Sequence, residues 1–168
     1  NFASGNPRFG CMVALVQATL PMWGAHVGDR RLMALAGPVA GLQLLLIGAS
    51  FAALTWAFVV SDFSLAVVVS NSHTLKPMLY KVSGVWGNHE GSLLLWVLIL
   101  ATYGAAVVAF GGGLPVRLKA RVLAVQGLIG VAFLAFLLFT SNPFLRLAVP
   151  PLNGADLNPL LQDPGLAF

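Results

Sequence analysis

Four stretches of the chain carry no Asp, Glu, Lys or Arg: 9–28, 32–61, 91–116 and 122–145. Each reaches the roughly 20 apolar residues that a helix needs to cross a hydrocarbon core. Helix is the conformation expected for them, because lipid offers no partner to open backbone groups. The pattern predicts spans near 9–26, 35–60, 92–110 and 122–140. An apolar stretch follows Arg8, but it is longer than a signal-peptide core and no A-x-A site follows it. The first run is therefore read as a span.

The segments between the spans differ in kind. Residues 61–91 hold the run Leu65-Ala66-Val67-Val68-Val69, read as a short strand or an interfacial piece, and then a Pro77 breaker. The tail 141–168 is rich in Asn-Pro and Pro-Pro pairs, which favour turns and extended chain. The short connections 27–34 and 111–121 concentrate Arg30, Arg31, Arg117, Lys119 and Arg121. Dense positive charge at helix ends places these two on the cytoplasmic side. The N-terminus, the 61–91 loop and the 141–168 tail are then expected outside.

Composition agrees with this layout. Of the 168 residues, 58% are apolar and 8% are charged, too few to cover a soluble surface. The fold class expected is all-α integral membrane, with four transmembrane helices and outer loops, as part of a larger multi-spanning bundle. The chain opens on Asn1 and is read as an excerpt. Its net charge of +4 comes from nine cations scattered along the chain, so no nucleic-acid surface is expected. Cys11 is the single cysteine and has no CxxC partner.

Few residues are candidates for chemistry. His89 and Glu90 lie immediately before the third span, where free amides and the helix dipole favour negative charge. Glu90 is explained as an electrostatic residue of that terminus. His89 can be a ligand, a proton carrier or an interfacial side chain. The pair is not H-E-x-x-H, because position 93 is leucine. His26 and His73 are isolated and read as capping or solvated residues. Trp23 and Trp56 fit the interfacial belt. Trp86 and Trp96 flank the His-Glu pair, and Trp96 shares a helix face with Leu93 and Leu100, suited to another helix or a flat apolar ligand. Gly111-Gly112-Gly113-Leu114-Pro115 lacks phosphate-loop spacing and reads as a turn. No metal site and no catalytic residue are expected, and the absence of charge from the four cores speaks against transport.

The stretch Trp86-Gly87-Asn88-His89-Glu90-Gly91-Ser92-Leu93-Leu94-Leu95-Trp96 resembles the W-G-x-H-E-G-S-x-L-L-W element of the CcmF family of cytochrome c-type biogenesis proteins. Asp62-Phe63-Ser64 resembles the start of that family's first outer loop. Thr140-Ser141-Asn142-Pro143-Phe144 resembles the end of its fourth span. Asp156-Leu157-Asn158-Pro159-Leu160-Leu161-Gln162-Asp163-Pro164-Gly165-Leu166 resembles its next segment. Position 88 is Asn where many relatives carry a small residue, and is treated as neutral.

The resemblance implies the last step of cytochrome c maturation at the outer face of the bacterial inner membrane. There heme vinyl groups are joined to the cysteine thiols of a C-x-x-C-H motif in apocytochrome c, with other maturation subunits as partners. It implies heme contact at His89, Glu90, Trp86 and Trp96. It also implies a partner or substrate surface at Asn158, Pro159, Gln162, Asp163, Pro164 and Gly165. The family's own histidine ligands fall beyond Phe168, so the main heme ligands are expected outside this chain, which would be inactive alone. The domain expected is therefore 1–168 as one N-terminal membrane portion. A non-catalytic scaffold that docks other subunits is the alternative, and a transporter fragment a weaker one.

Overall fold

The computed structural model describes residues 2–155. Seven helices follow in order among them: α1 (Phe2–Val27), α2 (Arg30–Ala34), α3 (Ala36–Val59), α4 (Ala66–Asn71), α5 (Met78–Ser83), α6 (His89–Phe110) and α7 (Val116–Phe139). A 3-10 turn at Gly111–Gly113 joins α6 to α7. Leu65 and Arg146 form an isolated antiparallel bridge, with no longer strand among the described residues.

The long helices bury narrow stripes. On α3 the buried positions include Ala36, Ala40, Gln43, Ile47, Ser50, Leu54 and Ala57, with Phe58 beside the last of them. That alternation of three and four residues is the seam of a helix packed along its length. On α7 the buried positions include the small residues Ala120, Ala124, Gly127 and Gly130 beside Leu123, Leu134 and Leu137, and at Gly127 the neighbouring backbone approaches closely. Without a hydrophobic drive between helices in lipid, such small residues and interhelical hydrogen bonds hold a bundle together. Gln17 of α1 supplies one bond, its Nε2 donating to Leu123 O at 2.9 Å, and Gln126 of α7 donates to Leu100 O on α6. α1 packs along α7 and α3, while α6 packs against α3 and α7.

Among the described residues three helical stretches are long and apolar enough to cross a membrane: Arg30–Val59, His89–Gly113 and Val116–Phe139. α1 is as long as these, at 26 residues, but Gln17, Thr19, Pro21 and His26 dilute its apolar character. A four-span layout is thus not established by length and composition. Two other expectations change. Residues 66–71 are helical rather than a strand, because Val67 and Val68 are buried in the main core by a helical turn. α7 begins at Val116 rather than 122, and takes Arg117, Lys119 and Arg121 into its first turns.

The segments 61–88 and 141–155 fold onto each other at the end where α6 begins. Ala66 N donates to Leu145 O and Leu147 N to Ser64 O, both at 2.9 Å. Thr74 N donates to Asn153 Oδ1 at 3.2 Å, and Asn153 Nδ2 lies 2.8 Å from His73 Nε2. His73 therefore ties loop to tail. The loop and the described part of the tail form one cap over the bundle.

Candidate site at the start of the third apolar helix

The site grows from a tight chain reversal. α5 ends at Ser83, and Gly84, Trp86 and Gly87 each donate backward to Tyr80 or Ser83. Val85 is thereby fixed in the core, fully buried. Asn88 then caps α6: its Oδ1 accepts from Gly91 N at 2.7 Å, and its Nδ2 donates to Gly84 O and Val85 O at 2.8 and 3.1 Å. Ser92 Oγ donates to Trp86 O. The position treated as neutral in the sequence is therefore the knot of the turn. Its side chain satisfies a free amide of the helix start and two carbonyls of the preceding turn.

Capping by Asn88 places His89 and Glu90 inside the first turn of α6, not just before it. Glu90 is half-buried there, where the helix dipole favours a carboxylate. His89 is exposed, and its ring meets Phe136 of α7 edge to face, with centroids 6.2 Å apart and planes at 82°. That geometry presents the positive edge of one ring to the negative face of the other. Trp86 goes the other way and packs, partly buried, against the main core. Trp96 is 65% exposed. The two tryptophans thus do not form one wall: of the four expected heme-contact residues Trp86 is turned inward, His89 and Trp96 are outward, and Glu90 is half-buried.

The outward pair belongs to a longer row. His89, Trp96, Tyr103 and Phe110 recur every seven residues, which keeps them on one face of a helix. All are exposed, Tyr103 at 69% and Phe110 at 88%. An aromatic row therefore runs the full length of α6, beside α7. Trp and Tyr usually lie at the edge of a bilayer, where the ring is apolar and the N–H or O–H is wet. Here Trp96 is seven residues, about 10 Å, from one end of α6, and Tyr103 is as far from the other. Counting aromatics at a seven-residue period would have exposed this row in the sequence.

Among the described residues no three of His, Cys, Asp and Glu converge. The expected partner surface at Asn158, Pro159, Gln162, Asp163, Pro164 and Gly165 lies outside the described residues.

Residues 86–168 match the family model described as cytochrome C assembly protein, and that match begins at Trp86, the first residue of the turn. The cytochrome c-type biogenesis protein ccl1 of Rhodobacter capsulatus is 71% identical over 156 residues, 93% of this chain. This is a CcmF-like chain. The CcmF of Escherichia coli is 49% identical to it over 158 residues. A solved structure named cytochrome c heme lyase CcmF superposes with a TM-score of 0.78 at 29% identity, over 85% of this chain. The CcmF-like chain spans 24% of the length of each of these three proteins.

Proposed function

We propose that this chain is the N-terminal membrane portion, 1–168, of a heme lyase subunit that acts in cytochrome c maturation. In this reading α1 is a fourth span beside the three more apolar ones, and the bundle sits in the bacterial inner membrane. The positive loops face the cytoplasm, and the N-terminus and the cap of 61–88 with 141–155 face outward. The reaction adds each cysteine S–H of an apocytochrome C-x-x-C-H motif across a heme vinyl group. No atom is lost, so the protein's task is to orient heme and thiol, which removes much of the entropic part of the barrier.

The observation that carries this reading is the aromatic row of α6 with His89 at its outer end. A flat apolar face is suited to a porphyrin, and the His89 imidazole has no hydrogen bond among the described residues. The residues present thus fit one side of a heme and supply one ring nitrogen at its edge. They do not make a complete pocket, and the remaining walls belong to the other three-quarters of the longer polypeptide. Asn158, Pro159, Gln162, Asp163, Pro164 and Gly165 follow the cap in sequence and are the proposed surface for apocytochrome c or a partner subunit.

Purified full-length protein carrying His89→Ala or Trp96→Ala tests this. Its Soret absorbance, normalised to protein, is expected to fall at least about twofold relative to wild type, since stacking and ligation both contribute to holding the ring. Trp56→Ala, on an exposed face of α3, is expected to leave it unchanged. Equal heme content in all four proteins would remove the row from the heme site and leave it a scaffold face.

A further inference from the structure

The end of the bundle opposite His89 carries five cations, Arg30, Arg31, Arg117, Lys119 and Arg121, against one carboxylate, Asp29. Asp29 is occupied in capping α2, where it accepts from Arg31 N at 2.8 Å. Lys119 Nζ donates to Val108 O at 2.9 Å and so is turned toward α6. Cavities open at this end, two of them large. One, of 580 Å³, is bordered by Arg30 and Arg117. The other, of 780 Å³, lies between α1 and α7, with Arg121 on one side.

The larger cavity is graded along its length. Ala18, Thr19, Leu20 and Met22 line it toward the middle of α1, Thr19 with its hydroxyl bonded back to Leu15 O, and Trp23, His26 and Arg121 line it toward the end. From Ala18 to His26 is about 12 Å of helix rise. Trp23 and His26 stack at a tilt, with centroids 6.2 Å apart, and no acidic side chain among the described residues borders the space. The volume falls within the roughly 300–1,000 Å³ of ordinary ligand sites.

Each simple occupant but one leaves part of this gradient unused. Water wets the apolar wall. A soluble anion meets Arg121 but not Ala18 and Leu20. An uncharged helix covers the wall but leaves the arginine desolvated without a counter-charge, which is costly. An amphiphile with an anionic head satisfies both ends, and basic recesses between membrane helices are suited to such heads. We propose that the α1–α7 cavity is a specific site for one anionic glycerophospholipid. Its phosphate sits on Arg121 beside His26, Trp23 covers the glycerol region, and one acyl chain lies along Ala18, Leu20 and Met22. This proposal does not depend on the heme reading, because it concerns the other end of the bundle.

Full-length protein in nanodiscs of phosphatidylglycerol or phosphatidylcholine, released for native mass spectrometry, tests it. Wild type is expected to retain one phosphatidylglycerol and no phosphatidylcholine. Arg121→Gln is expected to lower the retained fraction about fivefold, the loss of one cation from an anionic head. Arg121→Lys, which keeps the charge and guards against misfolding, is expected to retain most of it. Arg146→Gln, at the opposite end, is expected to change nothing. Ala18→Phe, which fills the chain-binding part with Arg121 intact, is expected to release the lipid. Inorganic phosphate added in excess is expected not to displace it. Undiminished retention in Arg121→Gln, equal retention of phosphatidylcholine, or displacement by phosphate would each overturn the assignment, the last by showing a plain anion site.

Discussion

Gly91→Ala is expected to destabilise the protein by at least about 3 kcal/mol, a large value for a single methyl group. A Cβ at position 91 would run into Val85 O and lie 2.8 Å from Val85 C. Neither atom can move alone. Val85 is fully buried, and its carbonyl already accepts from Asn88 Nδ2, which belongs to the cap that starts α6. Relief requires the 84–88 turn to open or the first turn of α6 to unwind, and either releases Asn88, His89 and Glu90 together. The usual sign is opposite, since alanine in a helix is favoured over glycine by roughly 0.5–1 kcal/mol. Gly41→Ala in α3 provides the contrast, because nothing lies within 4 Å of its Cβ position. Thermal unfolding of full-length protein in detergent measures both. Gly91→Ala is expected to melt far below wild type and Gly41→Ala at or slightly above it. A Gly91→Ala protein that melts like wild type would mean that α6 does not start against Val85.

Gly127→Val is the second large effect, expected at about 2–4 kcal/mol. A Cβ there meets Ala18 N at 2.9 Å, Ala14 O at 3.1 Å and Gln17 C at 3.1 Å, all main-chain atoms of α1. α1 rests directly on α7 at this point. Pushing it away breaks the Gln17 Nε2 bond to Leu123 O, and Gln17 Oε1 is already buried without a partner. An amide left wholly unpaired in an apolar interior adds its own penalty. One turn away, Gly130→Ala meets only ordinary contacts at 3.9–4.0 Å and is expected to be neutral. The same melting measurement, with limited proteolysis of α1, separates the two. Equal stability of Gly127→Val and Gly130→Ala would contradict the close approach of α1 to α7.

Much of the fold was legible because lipid restricts the choices. Charge-free runs located α3 and α6 to within a few residues, since a run that must cross hydrocarbon can only be helical. The start of α7 was missed because Arg117, Lys119 and Arg121 continue the helix beyond the apolar run, and a test for absent charge ends where charge begins. The run Ala66-Val67-Val68-Val69 has strand-forming side chains, yet it folds as a helix that buries Val67 and Val68, so tertiary packing outweighs propensity. At the site, the motif drew attention to His89, Glu90, Trp86 and Trp96, but not to how they divide. That depends on the turn which sends Trp86 inward, and the turn depends on Asn88 reaching three backbone groups at once. No local pattern announces such a reach.

In the proposed function the outer end of α6, with His89 and the aromatic row below it, helps hold heme for covalent attachment. The most direct measurement is the yield of covalently heme-bound cytochrome c in cells whose full-length protein carries His89→Ala with Trp96→Ala, at membrane levels matched to wild type. The yield is expected to fall at least about tenfold, because the reacting group is no longer oriented. An unchanged yield at matched protein levels would contradict that role.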